Sequence, residues 1–161
     1  MTSPALTAIA RLRRLAAALE VGEQPDLGDG AWLAERLARY LDGAERGLTV
    51  ETALDLAPMP GQASWWTEEA TQARDDALRQ MAARFWPERR VAGQAYEIHR
   101  AALRYVASAW RFDRGRADMP ERYVGTAAEW LWQAFASGAT MPLSKRQLQS
   151  ILAVDRRSDA A

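Results

Sequence analysis

Two basic residues at a predicted helix start are the side chains of this sequence whose types and spacing best fit a chemical task. Ser144 and Gln147 have the spacing of a capping box, and Lys145 and Arg146 stand between them. A capping box fixes where a helix begins, and the amides at that end favour a bound phosphate. Thr126 has the same relation to a Glu three residues later, so residues 126–157 have the outline of a helix-turn-helix.

The last predicted helix has an apolar side and a polar side that suits DNA. Lysine and arginine bind phosphates or guanine, and glutamine pairs with adenine. The same pattern fits an ordinary helical hairpin with a solvated face, because the connection 138–143 is longer than the usual turn of about 3–4 residues. The residues predicted to bind nucleic acid are Lys145, Arg146, Gln149, Ser150, Arg156 and Arg157, assisted by Arg100, Arg104, Arg111, Arg114 and Arg116.

Charge is distributed unevenly along the chain, although the whole sequence carries 21 basic and 21 acidic residues. Residues 1–97 hold 11 basic and 15 acidic side chains, whereas residues 98–161 hold 10 and 6. A basic C-terminal part favours a polyanion such as duplex nucleic acid as the partner. A mild excess of this size also arises by chance in a chain of this length.

Seven tryptophans are the second feature that bears on function. Trp110 and Trp132 fall on apolar helix faces, where a buried indole adds a large area to a core. Exposed aromatic side chains are typical of interfaces with a protein partner or with a second copy of the chain, and they also stack on nucleic-acid bases. Packing against other helices of the same chain is the competing interpretation. The tryptophans predicted for such an interface border loops or lie off the apolar faces, and they are Trp65, Trp66, Trp86 and Trp130.

Patterns for catalysis and metal binding are scarce in this sequence. It has no cysteine and a single histidine, His99, which excludes thiolate ligands, a cysteine nucleophile and a histidine pair. His99 falls on an apolar row, where a packed histidine is a simpler interpretation than a catalytic one. The acidic neighbours Glu68 and Glu69, like Asp75 and Asp76, point apart on a helix. We therefore expect no metal and no cofactor, and an enzyme without a recognisable motif is the least supported of three classes of function.

Length and composition indicate one folded domain. A chain of 161 residues with 48% apolar and 26% charged residues is large enough to bury a core. Residues 1–161 are predicted to form a single domain, with a subdivision into 1–57 and 65–157 as the alternative. No apolar run approaches the length of a membrane span, and the N-terminus lacks a secretory apolar region. The expected protein is cytoplasmic and makes no membrane contact.

Apolar residues recur at helical spacing along the whole chain, whereas the alternation typical of strands is nearly absent. The predicted fold is an all-α bundle of six or seven helices. Ser3 before a proline, Thr49 and Thr67 are the predicted caps of three helices. The last two helices, near 126–137 and 144–155, form a helical hairpin or a helix-turn-helix-like pair.

The longest predicted helix runs from about residue 91 to residue 112 and is expected at the centre of the bundle. A helix that is apolar around most of its circumference is typical of a buried position. Burial of both apolar rows predicts that Leu103→Ala destabilises the protein by about 2–5 kcal/mol. One row holds Ile98, Ala102, Tyr105 and Ala109, and the row beside it holds His99, Leu103, Val106 and Trp110.

These patterns favour a small regulatory or accessory protein without enzyme activity that binds nucleic acid through its C-terminal helix pair. The alternative is a helical interaction module or adaptor that uses exposed tryptophans. Affinity that falls steeply with salt distinguishes the first function. Concentration-dependent self-association or a stable complex with a protein partner distinguishes the second.

Overall fold

Helices form every regular element in the residues described by the computed structural model, 3–142 and 144–153. The prediction of an all-α fold is therefore confirmed. A π-helical segment, Val106–Trp110, joins α5 to α6. None of these helices is long and apolar enough to cross a membrane. The helices are α1 (Pro4–Glu20), α2 (Leu27–Gly43), α3 (Val50–Ala53), α4 (Trp65–Phe85), α5 (Val91–Tyr105), α6 (Arg111–Asp113), α7 (Ala127–Ala136) and α8 (Lys145–Ala153).

Two of the predicted helix caps are confirmed. The Ser3 hydroxyl accepts a hydrogen bond from the Leu6 amide at 3.3 Å, and Pro4 occupies the first helical position of α1. The Thr49 hydroxyl accepts from the Thr52 amide at 3.2 Å at the start of α3. These side chains satisfy amides that have no carbonyl partner within their own helix. Local sequence chemistry therefore decides where both helices begin.

At two other predicted caps the threonine side chain does not bond to the start of the helix. Helix α4 begins at Trp65, two residues before Thr67, and the Ser64 carbonyl accepts from the Thr67 amide at 3.0 Å. At α7, Thr126 occupies the N-cap position as predicted, but its hydroxyl donates to the Tyr123 carbonyl at 2.7 Å and makes no hydrogen bond to the helix. Threonine hydroxyls bond equally well to nearby turns, and in both places the preceding turn supplies the partner.

Contacts divide the chain into two compact units, residues 1–69 (unit 1) and residues 70–161 (unit 2). Unit 1 carries 6 basic and 11 acidic residues, whereas unit 2 carries 15 basic and 10 acidic residues. The net charges are therefore −5 and +5. The difference in net charge is larger between the two structural units than between residues 1–97 and residues 98–161.

Unit 1 is built on the pairing of α1 with α2, to which α3 adds a contact with α2. Asp26 caps α2 by accepting from the Gly28 amide at 2.9 Å and the Asp29 amide at 3.1 Å. The core is small because few large apolar side chains take part in it. Its buried apolar residues are Ala8, Ile9, Leu15, Ala53 and Leu54.

A buried carboxylate joins α1 to α2. Asp29 accepts two hydrogen bonds from the Arg14 guanidinium, at 2.7 and 3.0 Å, and Arg11 lies 3.7 Å away. The hydrogen bonds from Arg14, together with the charges of Arg14 and Arg11, hold the pKa of Asp29 below its ordinary value of 3.8. The folded state therefore favours the ionised carboxylate, and this ion pair stabilises unit 1 where Asp29 is charged.

We predict that Asp29→Asn destabilises the protein at neutral pH and that this effect shrinks in acid. A lowered pKa stabilises the fold above the ordinary pKa, and that contribution is lost as pH falls through the folded-state pKa. Urea unfolding of the parent and the variant at pH 7 and at pH 3, followed by circular dichroism, measures the difference. Glu35→Gln, an exposed change on the same helix, is the control. An effect of Asp29→Asn that stays constant across this range would contradict the assignment.

Helix α5 lies in the middle of unit 2, where it packs along α8 and contacts α7. The expected central helix is thus confirmed, and it continues through the π-helical segment to Asp113. Ile98 from α5 and Leu148 from α8 are fully buried, as are Leu78 and Met81 from α4. The two C-terminal helices are also present, and α8 has its main contact surface on α5.

Only one of the two apolar rows on α5 faces the core. Ile98 is completely buried and Tyr105 nearly so, but Leu103 is 59% exposed and Val106 is 46% exposed. The prediction that the second row is buried is therefore wrong. The helices packed against α5 cover its first row and leave most of the second row in solvent. Trp110 departs from its row and packs with the Tyr105 and Phe135 rings.

Ile98→Ala is expected to reduce the free energy of unfolding by about 2–5 kcal/mol, because it removes a fully buried side chain and leaves a cavity. Leu103→Ala, on the same helix, is expected to change it by less than about 0.5 kcal/mol, as exposed substitutions usually do. Chemical denaturation of the two variants makes a matched comparison. Equal losses of stability would place both rows in the core.

Candidate nucleic-acid interface

The predicted capping box fixes the start of α8. Ser144 Oγ accepts from the Gln147 amide at 3.2 Å, and Gln147 Oε1 accepts from the Ser144 amide at 3.2 Å. Lys145 and Arg146 follow the cap, and both are exposed. The positive end of the helix dipole lies at this first turn. The helix start and its two cations therefore present positive potential to the solvent.

An exposed tyrosine on α5 contacts two of the predicted cations. The Lys145 ammonium nitrogen lies 4.8 Å from the centre of the Tyr96 ring, and the Arg100 guanidinium carbon lies 5.9 Å from it. Tyr96 is 46% exposed. A cation beside an aromatic ring at an exposed site gains about 0.5–1 kcal/mol. The ring thus gathers Lys145 of α8 and Arg100 of α5, which are far apart in the sequence.

A buried carboxylate positions the arginines of this surface. Glu97 is buried, and its oxygens lie 2.8 Å from an Arg100 nitrogen and 3.4 Å from an Arg89 nitrogen. A buried charge is costly without a partner, so the two guanidinium groups stay at Glu97. Two arginines and one carboxylate leave one net positive charge, and Lys145 adds another.

One further arginine extends the charge along α5. Arg104 follows Arg100 by four residues, which places both on one side of the helix, and Arg104 is exposed. We define the basic surface as Tyr96, Arg100, Arg104, Lys145 and Arg146. It lies in unit 2, whose net charge is +5. Such a surface attracts anions in general and polyanions in particular.

The remaining predicted residues of α8 contribute less to this surface. Gln149 is half-buried, and the Ser150 hydroxyl donates to the Arg146 carbonyl at 3.1 Å. Their polar groups are therefore less available to a ligand than those of Lys145. Arg156 and Arg157 lie outside the described residues.

A second basic group lies at the other end of the same helical run. Arg111, Arg114 and Arg116 are exposed, and the Arg111 guanidinium carbon lies 4.5 Å from the centre of the Phe112 ring. A helix rises about 1.5 Å per residue, so Arg111 lies roughly 20 Å from Tyr96 and roughly 10 Å from Arg104 along the axis. Arg111 packs on Phe112, whereas Lys145 and Arg100 pack on Tyr96, so we treat these three arginines as a separate basic group.

The four tryptophans predicted for an interface have different surroundings. Trp66 is 60% exposed and contacts the Trp65 ring edge to face, with centroids 5.6 Å apart. Trp65 is half-buried and lines a cleft in unit 1. Trp86 and Trp130 are half-buried and pack against the core of unit 2. Trp66 alone among the four therefore offers most of its ring to a partner.

The cleft in unit 1 has a volume of about 450 Å³ and combines apolar walls with charged groups. Asp55 at its edge has a φ of 60°, a left-handed conformation that aspartate adopts more readily than most residues. Arg36 and Arg39 pair with Asp55 at 3.0 and 3.6 Å, and Glu68 accepts from the Ser3 hydroxyl at 2.6 Å. The charged groups of the cleft are thus engaged with one another.

A third buried carboxylate lies between two tyrosines and an arginine. Asp113 is only 2% exposed, it accepts from the Tyr123 hydroxyl at 2.6 Å and the Tyr105 hydroxyl at 3.5 Å, and an Arg122 nitrogen lies 3.5 Å from it. Burial raises the pKa of Tyr105, and the nearby Tyr123 and Asp113 raise it further, so the phenol stays neutral and donates. The network fastens the end of α6 to residues 121–123.

Neither a metal site nor a similarity to known proteins points to a function. Among residues 3–142 and 144–153, no three His, Cys, Asp or Glu side chains are arranged to hold a metal ion. Comparisons with protein-family models, with curated protein sequences and with solved structures found no match. The chemistry of the exposed surfaces is therefore what bears on function.

Tyr96, the centre of the basic surface, was not predicted from the sequence. The spacing of Tyr96 and Arg100 on one helix was a usable signal, because residues four apart lie on the same side. The contact with Lys145 had no such signal, since it depends on how α8 packs against α5.

Proposed function

We propose that unit 2 binds nucleic acid through the basic surface, and that the protein acts as a small regulatory or accessory factor without enzyme activity. The observation that carries the proposal is the exposed Tyr96 ring with Lys145 and Arg100 beside it. Lysine and arginine contribute phosphate contacts, which supply most of the affinity of proteins for duplex DNA. The net charge of unit 2 supports the same class of partner.

The arrangement of the cations supports contacts to the phosphate backbone more than contacts to bases. Arg100 is held by Glu97 and Lys145 by Tyr96, so their positive groups stay near the protein surface. Base readout needs side chains that reach into a groove, and Gln149, the residue predicted for adenine, is half-buried. Binding with little sequence preference and a strong dependence on salt follows from this geometry.

Replacing Lys145 and Arg146 by Ala is expected to weaken duplex binding and to reduce the salt slope of log K by about 2, because each cation neutralises one phosphate. The melting temperature should change little, because both side chains are exposed and such charges add little stability. Fluorescence anisotropy with a labelled duplex at several salt concentrations measures the affinity and its salt slope, and a circular dichroism melt measures the stability.

Arg114→Ala with Arg116→Ala is the matched control, since it removes the same charge from the second basic group of unit 2. It should affect the affinity less than the Lys145 and Arg146 substitutions. An equal loss of affinity in both variants would show that the binding site is not centred on the start of α8. Parent protein that binds neither duplex nor single-stranded probes at micromolar concentration in low salt would refute the proposed function.

A second candidate is a protein-interaction module, which one observation favours directly. Trp66 is 60% exposed in a short apolar stretch that includes Trp65, and exposed tryptophans often carry much of the energy of an interface. Trp66→Ala should leave nucleic-acid affinity unchanged if the basic surface acts alone. Loss of a protein complex in the same variant would favour the second function.

A further inference from the structure

Helix α2 carries an apolar row that faces the solvent. The spacing along the row is four, three, four and three residues, which is the spacing of a seam between two packed helices. Leu27 is 82% exposed, Leu41 is 73% exposed, and the alanines between them are exposed as well. A row of this kind is costly in water unless another surface covers it. Its residues are Leu27, Ala31, Ala34, Ala38 and Leu41.

The α2 row has an acidic edge. Glu35 and Asp42 are exposed and follow Ala31 and Ala38 by four residues, which places them on neighbouring positions of the helix surface. Helix α2 belongs to unit 1, whose net charge is −5. A partner for this row should therefore combine apolar residues with positive charge.

The second row of α5 has the matching properties. Tyr96, Leu103 and Val106 are exposed, His99 is half-buried, and these four residues are separated by three, four and three positions. Arg100 and Arg104 stand at its edge, in the unit whose net charge is +5. The α2 row spans about 21 Å and the α5 row about 15 Å, at roughly 1.5 Å per residue.

We propose that α2 of one chain packs against α5 of a second copy. The two rows have compatible spacing and length, and the acidic edge of one meets the arginines of the other. Contacts between identical rows are disfavoured, because two α2 helices would bring acidic edges together and two α5 helices would bring arginines together. The alanines of α2 allow the larger side chains of α5 to approach closely.

Each chain offers one row of each kind. Two copies can pair reciprocally, with each α2 on the other copy's α5, or α2 of one copy can join α5 of the next, so that association continues along a chain of copies or closes into a ring. One helix from each partner makes a small interface, and association is expected in the micromolar range or above. The inference is independent of nucleic acid, although Tyr96, Arg100 and Arg104 belong to both surfaces.

Sedimentation velocity without nucleic acid, from micromolar to near-millimolar protein, tests the contact. The average mass of the parent should rise with concentration and fall when salt is added. Ala34→Glu with Leu41→Glu disables the α2 row, and Leu103→Glu disables the α5 row. Each variant should associate at least about tenfold more weakly, as expected when the centre of an interface is disrupted. Val124→Glu, an exposed apolar residue of unit 2 outside both rows, is the matched control and should associate like the parent.

Mixing the two variants gives the deciding measurement. The first retains its α5 row and the second retains its α2 row, so the mixture should form a dimer that does not grow further. A contact between identical rows would let one of the two variants associate by itself, and that result would overturn the proposal, as would a mixture that stays monomeric while the parent associates. Parent protein that is monomeric at every concentration would overturn it as well. Circular dichroism melts confirm that each variant is folded, and nucleic-acid binding measured separately keeps the two proposals distinguishable.

Discussion

Burial of one side of α5 is the constraint on which the rest of unit 2 depends. Ile98 and Leu148 are fully buried where α5 and α8 meet, and Leu148 lies one helical turn after Lys145. Packing of this kind tolerates little displacement, because protein interiors are close to crystal density. The apolar contact therefore fixes the start of α8 beside Tyr96. A charged surface in this protein owes its geometry to its hydrophobic core.

The division into two units explains why so much apolar helix surface stays in solvent. A small unit buries a smaller fraction of its surface than a large one, and the buried apolar residues of unit 1 are two alanines, two leucines and one isoleucine. Leu27 and Leu41 of α2 have no place in that core. Packing within the chain thus leaves some apolar residues exposed to solvent. The exposed row of α2 lies in the acidic unit, and the exposed row of α5 lies in the basic unit. The proposed nucleic-acid contact and the proposed self-contact both arise from this unequal distribution.

The side chains that cap the helices could be predicted from the sequence, whereas the side of each helix that its neighbours cover could not. The Ser3 and Ser144 caps follow from side-chain spacing alone, and the structure confirms them. The two rows of α5 are equally apolar, so periodicity could not tell which one the neighbouring helices cover. Lys145 and Arg146 were identified as exposed cations at a helix start. Tyr96 was not, because its role depends on a contact with a distant helix.

The π-helical segment Val106–Trp110 changes the direction in which the following side chains face. A π turn accommodates one extra residue, and one residue corresponds to about 100° around the axis. In sequence, Trp110 continues the exposed row of Leu103 and Val106, yet it packs against Tyr105 and Phe135. The extra residue thus ends the row and turns the indole inward. Deletion of a single residue here would restore a regular α-helix while Trp110 and the residues after it keep the side that they present to the core.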